Sequence, residues 1–142
     1  MTAEEVIGLL GLAPRPGGGW FRETARDERT DDQGRSIATT GFLLLKGDQE
    51  RAWEQVEATE IWQFQDGAPL VLSAADTTGQ VDFRLGPDAG AGDRDQLIIP
   101  AEVWRKVRSL GDWTLVGYTV APTFAFEGMS MAPRGWRPEG TG

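Results

Sequence analysis

The sequence predicts an all-β fold, a double-sheet jelly-roll barrel preceded by one short helix. Three observations carry this. From Trp20 onward, apolar residues recur mostly at every second position, the period of a strand. The alternating runs are short and rich in β-branched and aromatic side chains. Turn chemistry separates them at spacings of about 8–12 residues, and the chain holds 19 Gly and 8 Pro to supply it.

The helix comes first. Thr2 and Glu5 fit a capping box, Val6, Ile7, Leu9 and Leu10 supply an apolar stripe, and Gly11 suits the left-handed residue that ends a helix. Pro14, Pro16 and the triplet Gly17-Gly18-Gly19 then break regular structure. A strand is expected over 20–25, followed by a charged turn or loop from Asp27 to Gly34. Further strands are expected over 36–45, 51–57, 59–65, 69–74, 80–85, 95–99, 102–107, 113–120 and 124–131. The pattern is plain where Val81, Phe83 and Leu85 alternate with Asp82 and Arg84. The chain reads as one domain over 1–132, with an aperiodic, flexible tail over 133–142 that includes an exposed Trp136.

Composition excludes whole chemistries. With 22 acidic and 14 basic residues the formal net charge is −8, which disfavours nucleic acid and anionic membrane surfaces as partners. Without Cys there is no thiolate nucleophile, disulfide or zinc finger, and without His no imidazole base or His-built metal site. Acid–base work falls to Asp, Glu, Lys or the single Tyr. The first residues carry acid where a secretory leader needs base, and no apolar run is long enough to span a bilayer, so a cytoplasmic protein is expected. Gly17–Gly19 is a tight bend and no phosphate loop, since no Lys or Ser/Thr follows in the required places.

Several motifs stand in register along the chain: Arg15-Pro16-Gly17-Gly18-Gly19-Trp20-Phe21-Arg22-Glu23-Thr24, Ala52-Trp53-Glu54-Gln55-Val56, Thr59-Glu60-Ile61-Trp62-Gln63-Phe64, and Gly67 with Pro69-Leu70. Ile99-Pro100-Ala101-Glu102-Val103-Trp104, Trp113 to Pro122 (WTLVGYTVAP) and Phe124-Ala125-Phe126 follow. In this order they resemble the small cupins of the Cupin 5 group over about residues 4 to 131. The resemblance implies a cupin barrel, often a homodimer, which agrees with the strand count reached from periodicity. It also marks what is missing. Metal-binding cupins carry G-x5-H-x-H-x3,4-E-x6-G and later P-x-G-x2-H. Gly47, Glu60 and Gly67 fall at the first spacing, and the two His positions land either on Trp53 and Gln55 or on Glu54 and Val56. In the second pattern the glycine is placed on Glu102 and the ligand on Trp104. Either register loses every imidazole, so no tightly held transition metal and no other cofactor is expected. Water or a weakly held cation between Glu54 and Glu60 is the expectation.

Glu60 is the leading site candidate, since the resemblance turns it into the barrel, where burial of a carboxylate favours trading a proton near neutrality. The bland alternative is a solvated strand-end Glu or one paired with an Arg. Glu54 is the second candidate. Trp62 and Phe64 share the face of Glu60 on a regular strand, and Trp53, Trp104 and Tyr118 are implied by the resemblance to line the same cup, unless these rings simply fill the barrel. Arg22 or Glu23 completes the site with a charge or forms a surface pair. Arg105, Lys106 and Arg108 form the only basic cluster and read as a solvated face.

The leading functional expectation is therefore a protein that binds a small polar or organic molecule inside the barrel without a transition metal, with Glu23, Trp53, Glu54, Glu60, Trp62, Phe64, Trp104 and Tyr118 as its lining. The alternative is a metal-independent isomerase or epimerase acting on a sugar-like metabolite, with Glu60 or Glu54 as base and Tyr118 as acid. A metal-dependent oxygenase or lyase is disfavoured by the ligand count, and a purely structural module stays open because fold does not fix function.

Overall fold

A computed structural model describes residues 1–49, 52–76, 79–123 and 129–133. The expectations for a strand through residues 124–128, for the tail beyond 133 and for Trp136 lie outside the described residues. One helix, α1 (Ala3–Leu10), precedes eleven strands: β1 (Ala13–Pro14), β2 (Trp20–Arg26), β3 (Thr39–Lys46), β4 (Glu54–Val56), β5 (Thr59–Gly67), β6 (Leu70–Asp76), β7 (Gly79–Leu85), β8 (Gln96–Ile99), β9 (Trp104–Ser109), β10 (Trp113–Ala121) and β11 (Met129–Met131). A 3-10 turn over Ala89–Ala91 joins β7 to β8. The strands form two antiparallel sheets, ordered β1-β2-β3-β10-β5-β8 and β11-β4-β9-β6-β7. The jelly-roll architecture follows. Among the described residues no helix is long and apolar enough to cross a membrane.

Sequence decides most boundaries as expected. The Thr2 hydroxyl accepts from the Glu5 amide, the Glu5 carboxylate accepts from the Thr2 amide, and Gly11 closes α1 at φ 65°. Several strands start later than periodicity predicts, β4 among them, at Glu54 and not at 51. Ser36 turns its hydroxyl to the carbonyls of Asp27 and Ala38 before β3 begins, and Glu102 adopts φ 67°, a left-handed conformation that no strand can hold, so β9 starts at Trp104. The two-residue β1 was not expected.

The core between the sheets is built from Leu43, Leu45, Trp62, Leu97, Ile99 and Val116 on one side and Leu70, Leu72, Leu85 and Val107 on the other. A second cluster lies on the outer face of the six-stranded sheet, where Ala3, Val6 and Leu12 pack on Leu44 and Leu115. This explains the unbroken run Leu43-Leu44-Leu45. A strand covered on both faces has no reason to alternate.

The register of the six-stranded sheet sets what its inner face offers. One row reads Arg26, Thr39, Val120, Glu60 and Ile99, and the next reads Glu23, Gly41, Tyr118, Trp62 and Leu97. The third reads Phe21, Leu43, Val116 and Phe64. The interior thus grades from charged through aromatic to aliphatic within two steps along the strands. A bulge between Glu23 and Ala25 makes the first row possible, because the extra residue brings Arg26 to the same face as Glu23.

Candidate functional site

These rows enclose a cavity of about 280 Å³. Phe21, Trp62 and Tyr118 supply its aromatic wall, Leu43 and Val120 its aliphatic floor, and Arg15, Glu23, Arg26, Thr39, Glu60 and Thr123 its polar groups. A wider groove of about 890 Å³ is lined by residues of β7 and β8, but its polar lining, Gln80, Arg94 and Gln96, is exposed. A pocket that is mostly apolar, with a few polar groups aimed inward, is the usual form of a small-molecule site. The smaller cavity has that form.

Behind its wall lies a chain of ion pairs. Arg105 rises from β9 and is 1% exposed, with Glu60 at 5% and Glu54 at 6%. The Arg105 Nη2 donates to Glu60 Oε2, and its Nε lies 3.9 Å from Glu54 Oε1. Glu54 is held from the other side by a forked Arg15, with Nη2 at 3.1 Å from Oε1 and Nη1 at 3.4 Å from Oε2. Glu60 Oε1 accepts from the indole of Trp62 at 3.4 Å. Closer to solvent, Arg26 engages both oxygens of Glu23, Nη2 to Oε1 at 2.8 Å and Nε to Oε2 at 3.2 Å. Three arginines therefore face three glutamates. Arg105 Nε and Nη1 and the Thr123 hydroxyl are buried with no hydrogen-bond partner among the described residues.

Most residues singled out from sequence meet here. Glu23, Glu60, Trp62 and Tyr118 line the cavity, and Glu54 stands in the ion-pair chain beside it. Strand β4 settles the register left open above, since Glu54 and Val56 are buried while Gln55 is turned to donate to the Glu102 carbonyl. Three residues lie elsewhere. Trp53 lines a cleft on the outer side with Val71, Ser73 and Lys106, Phe64 packs into the aliphatic core a row below the cavity, and Trp104 sits out of phase with the buried Arg105 and Val107 of its strand. Arg22 turns outward and caps α1, donating to the Leu10 carbonyl at 3.2 Å.

Sequence reasoning missed Arg15 and Arg26, and above all Arg105. It is no part of a solvated face, unlike Lys106 and Arg108, which are exposed. Counted from Pro100, the pattern P-x-G-x2-H ends on Arg105 and not on Trp104, and the left-handed Glu102 confirms the glycine position. The period of two running back from Val107 gives the same answer.

The metal-site positions are thus Glu54, Val56, Glu60 and Arg105. They do not fit a metal ion. A guanidinium offers donors and no lone pair, and it already occupies the space between the two carboxylates as a fixed cation. Among the described residues no three carboxylates gather elsewhere. The two glutamates are bridged by arginine, which replaces the expectation of water or a weak cation between them.

Tyr118 is the one titratable group of the site whose acidity is clearly displaced. Burial first, then the charges of Glu23 and Glu60, push its phenol up to about 12, with Arg15 opposing. It remains a neutral donor throughout the physiological range. Because the chain has one tyrosine, ultraviolet titration of the tyrosinate band reads it directly, and the midpoint is expected near 12 in the native protein. A folded value above the unfolded value means this contribution to stability is complete below about pH 10 and is lost as pH rises through the folded value. A native midpoint at the free-tyrosine value would remove Tyr118 from the interior.

Comparison with known proteins agrees with this geometry. The family model described as Cupin superfamily (DUF985) matches residues 4–132. Among solved structures, a protein of Shewanella oneidensis superposes with TM-score 0.87 at 27% identity, covering 93% of this chain and 85% of that one. A hypothetical protein from Leishmania major gives 0.83 at 21%, covering 92% and 86%. Oxalate decarboxylase from Bacillus subtilis gives 0.60 at 13%, covering 80% of this chain and only 28% of that one, and so shares the fold alone. Comparison with curated proteins gives no significant match.

Proposed function

This chain belongs to the Cupin_5 family of the cupin superfamily, and on that premise we propose that it binds a small organic molecule in its barrel without the help of a transition metal. One observation carries the reading. The cavity of about 280 Å³ is walled by three aromatic side chains and supplied with polar groups from both charge signs. Its volume, just below the usual range of about 300–1,000 Å³ for ligand pockets, suits a small metabolite. The metal-free part of the reading is supported by the donor set, in which Arg105 takes a ligand position. A cytoplasmic homodimer is the working form we propose, on the resemblance and the composition.

Isomerisation through a glutamate base has less support. Both Glu60 oxygens already accept, from Arg105 and from Trp62, and both Glu54 oxygens accept from Arg15. Proton abstraction by either would first require breaking an ion pair.

A thermal-shift screen of organic acids, sugars and nucleotide sugars tests the binding reading. A ligand that binds only the native state stabilises it by about 2.7 kcal/mol at 100 times its Kd, so hits are expected as a rise in Tm. The rise should be lost in Tyr118→Ala, which removes one aromatic wall. Silence across the screen would count against a binding role.

A further inference from the structure

The unspent groups of the cavity say more about what it takes, granted the binding reading above. We infer that the cavity selects molecules of no net charge that present hydrogen-bond acceptors.

Among the described residues Arg15, Arg26 and Arg105 pair with Glu54, Glu23 and Glu60, so these six charges sum to zero without a ligand. All six carboxylate oxygens already accept a hydrogen bond, from Arg15, Arg26, Arg105 or Trp62. What is left over is donor capacity. The Thr123 hydroxyl lines the cavity with no partner among the described residues, whereas the two unpaired nitrogens of Arg105 lie behind the wall and do not line it. Tyr118 adds a phenol that stays protonated. Buried donors without acceptors are costly, and a ligand oxygen relieves that cost.

Net charge is excluded by the same count. An anion would place an uncompensated charge beside Glu23 and Glu60, whose fields already oppose ionisation of Tyr118. A cation would find no unengaged carboxylate and would meet Arg15 and Arg26 in the wall. A neutral molecule with a flat face for Phe21, Trp62 and Tyr118 and an acceptor oxygen satisfies the site as built.

Three probes that share one ring and differ in charge test this: benzamide, benzoate and benzamidine, each titrated against the full chain by thermal shift. Benzamide is expected to bind at least about tenfold more tightly than either ion. Benzoate or benzamidine binding as well as benzamide would overturn the inference and leave the pocket standing. No shift with any of the three would also overturn it, and the broad screen alone would then judge the binding reading. A second arm alters the balance itself. Glu23→Gln, at a side chain 39% exposed and so tolerant of change, leaves Arg26 uncompensated. Relative affinity should then move several-fold toward benzoate, and an unchanged preference would again overturn the inference.

Discussion

Arg105→Met is expected to destabilise the fold by about 3–5 kcal/mol, the range found when one partner of a buried ion pair is removed. The methionine keeps much of the length and the apolar stem, so packing changes little. The electrostatics change completely. Glu60 loses the Arg105 Nη2 donor and keeps only the Trp62 indole at 3.4 Å, while Glu54 keeps Arg15. One buried negative charge is then left short of its countercharge. Denaturant unfolding of both proteins measures the deficit. Adding Glu60→Gln to Arg105→Met should recover most of the loss, since removing both members of a buried pair is far less costly than removing one. A single variant within about 1 kcal/mol of the parent would show that Arg105 is solvated, and the description of the site would fall with it.

That residue also marks where the sequence was hard to read. The strands were legible because most have one face in the core and one in water, which writes a period of two into the chain. The helix was legible because its cap is local, Thr2 with Glu5 and Gly11 at the far end. Strand parity was enough to put Trp62 on the face of Glu60, and the resemblance turned Glu60 and Tyr118 inward, while the choice between Arg22 and Glu23 needed the register of the six-stranded sheet. Arg105 was not, for a reason of chemistry. A buried guanidinium is tolerable only when a distant part of the chain supplies the countercharge, and its partners lie 45 and 51 positions away. In one dimension it looks like its neighbours Lys106 and Arg108, which do face solvent. The bulge at Thr24 was equally hidden, so nothing local announced that Glu23 and Arg26 share a face. Trp53 and Trp104 failed in the opposite direction. Aromatic identity suggested a cup, but the phase of β4 and β9, fixed by Glu54 and Arg105, turns both rings away from the cavity.

Gly41→Ala should abolish ligand binding and cost about 1–3 kcal/mol, the usual penalty for forcing a methyl into a packed interior. Gly41 stands between Glu23 and Tyr118 in one cross-strand row, and the phenol lies across the space a side chain would fill. A Cβ built there would sit 2.5 Å from the Tyr118 hydroxyl and 2.7 Å from the ring carbon that bears it, and closer still to the Arg22 carbonyl of β2. Neither obstacle can step aside freely. The carbonyl belongs to the strand just before its bulge, and the ring is packed against the core. Glycine here serves close approach and not a special backbone angle, since its φ is not among the positive ones. The two obstacles can be separated by a double-mutant cycle with Tyr118→Ala. If the ring is the main obstacle, Gly41→Ala becomes much less costly once Tyr118 is truncated. If the carbonyl is, the cost stays the same in both backgrounds. Only the first outcome supports the view that Gly41 exists to seat Tyr118 over the cavity. An alanine that is neutral for both stability and ligand protection would mean that the phenol does not lie where the site requires it.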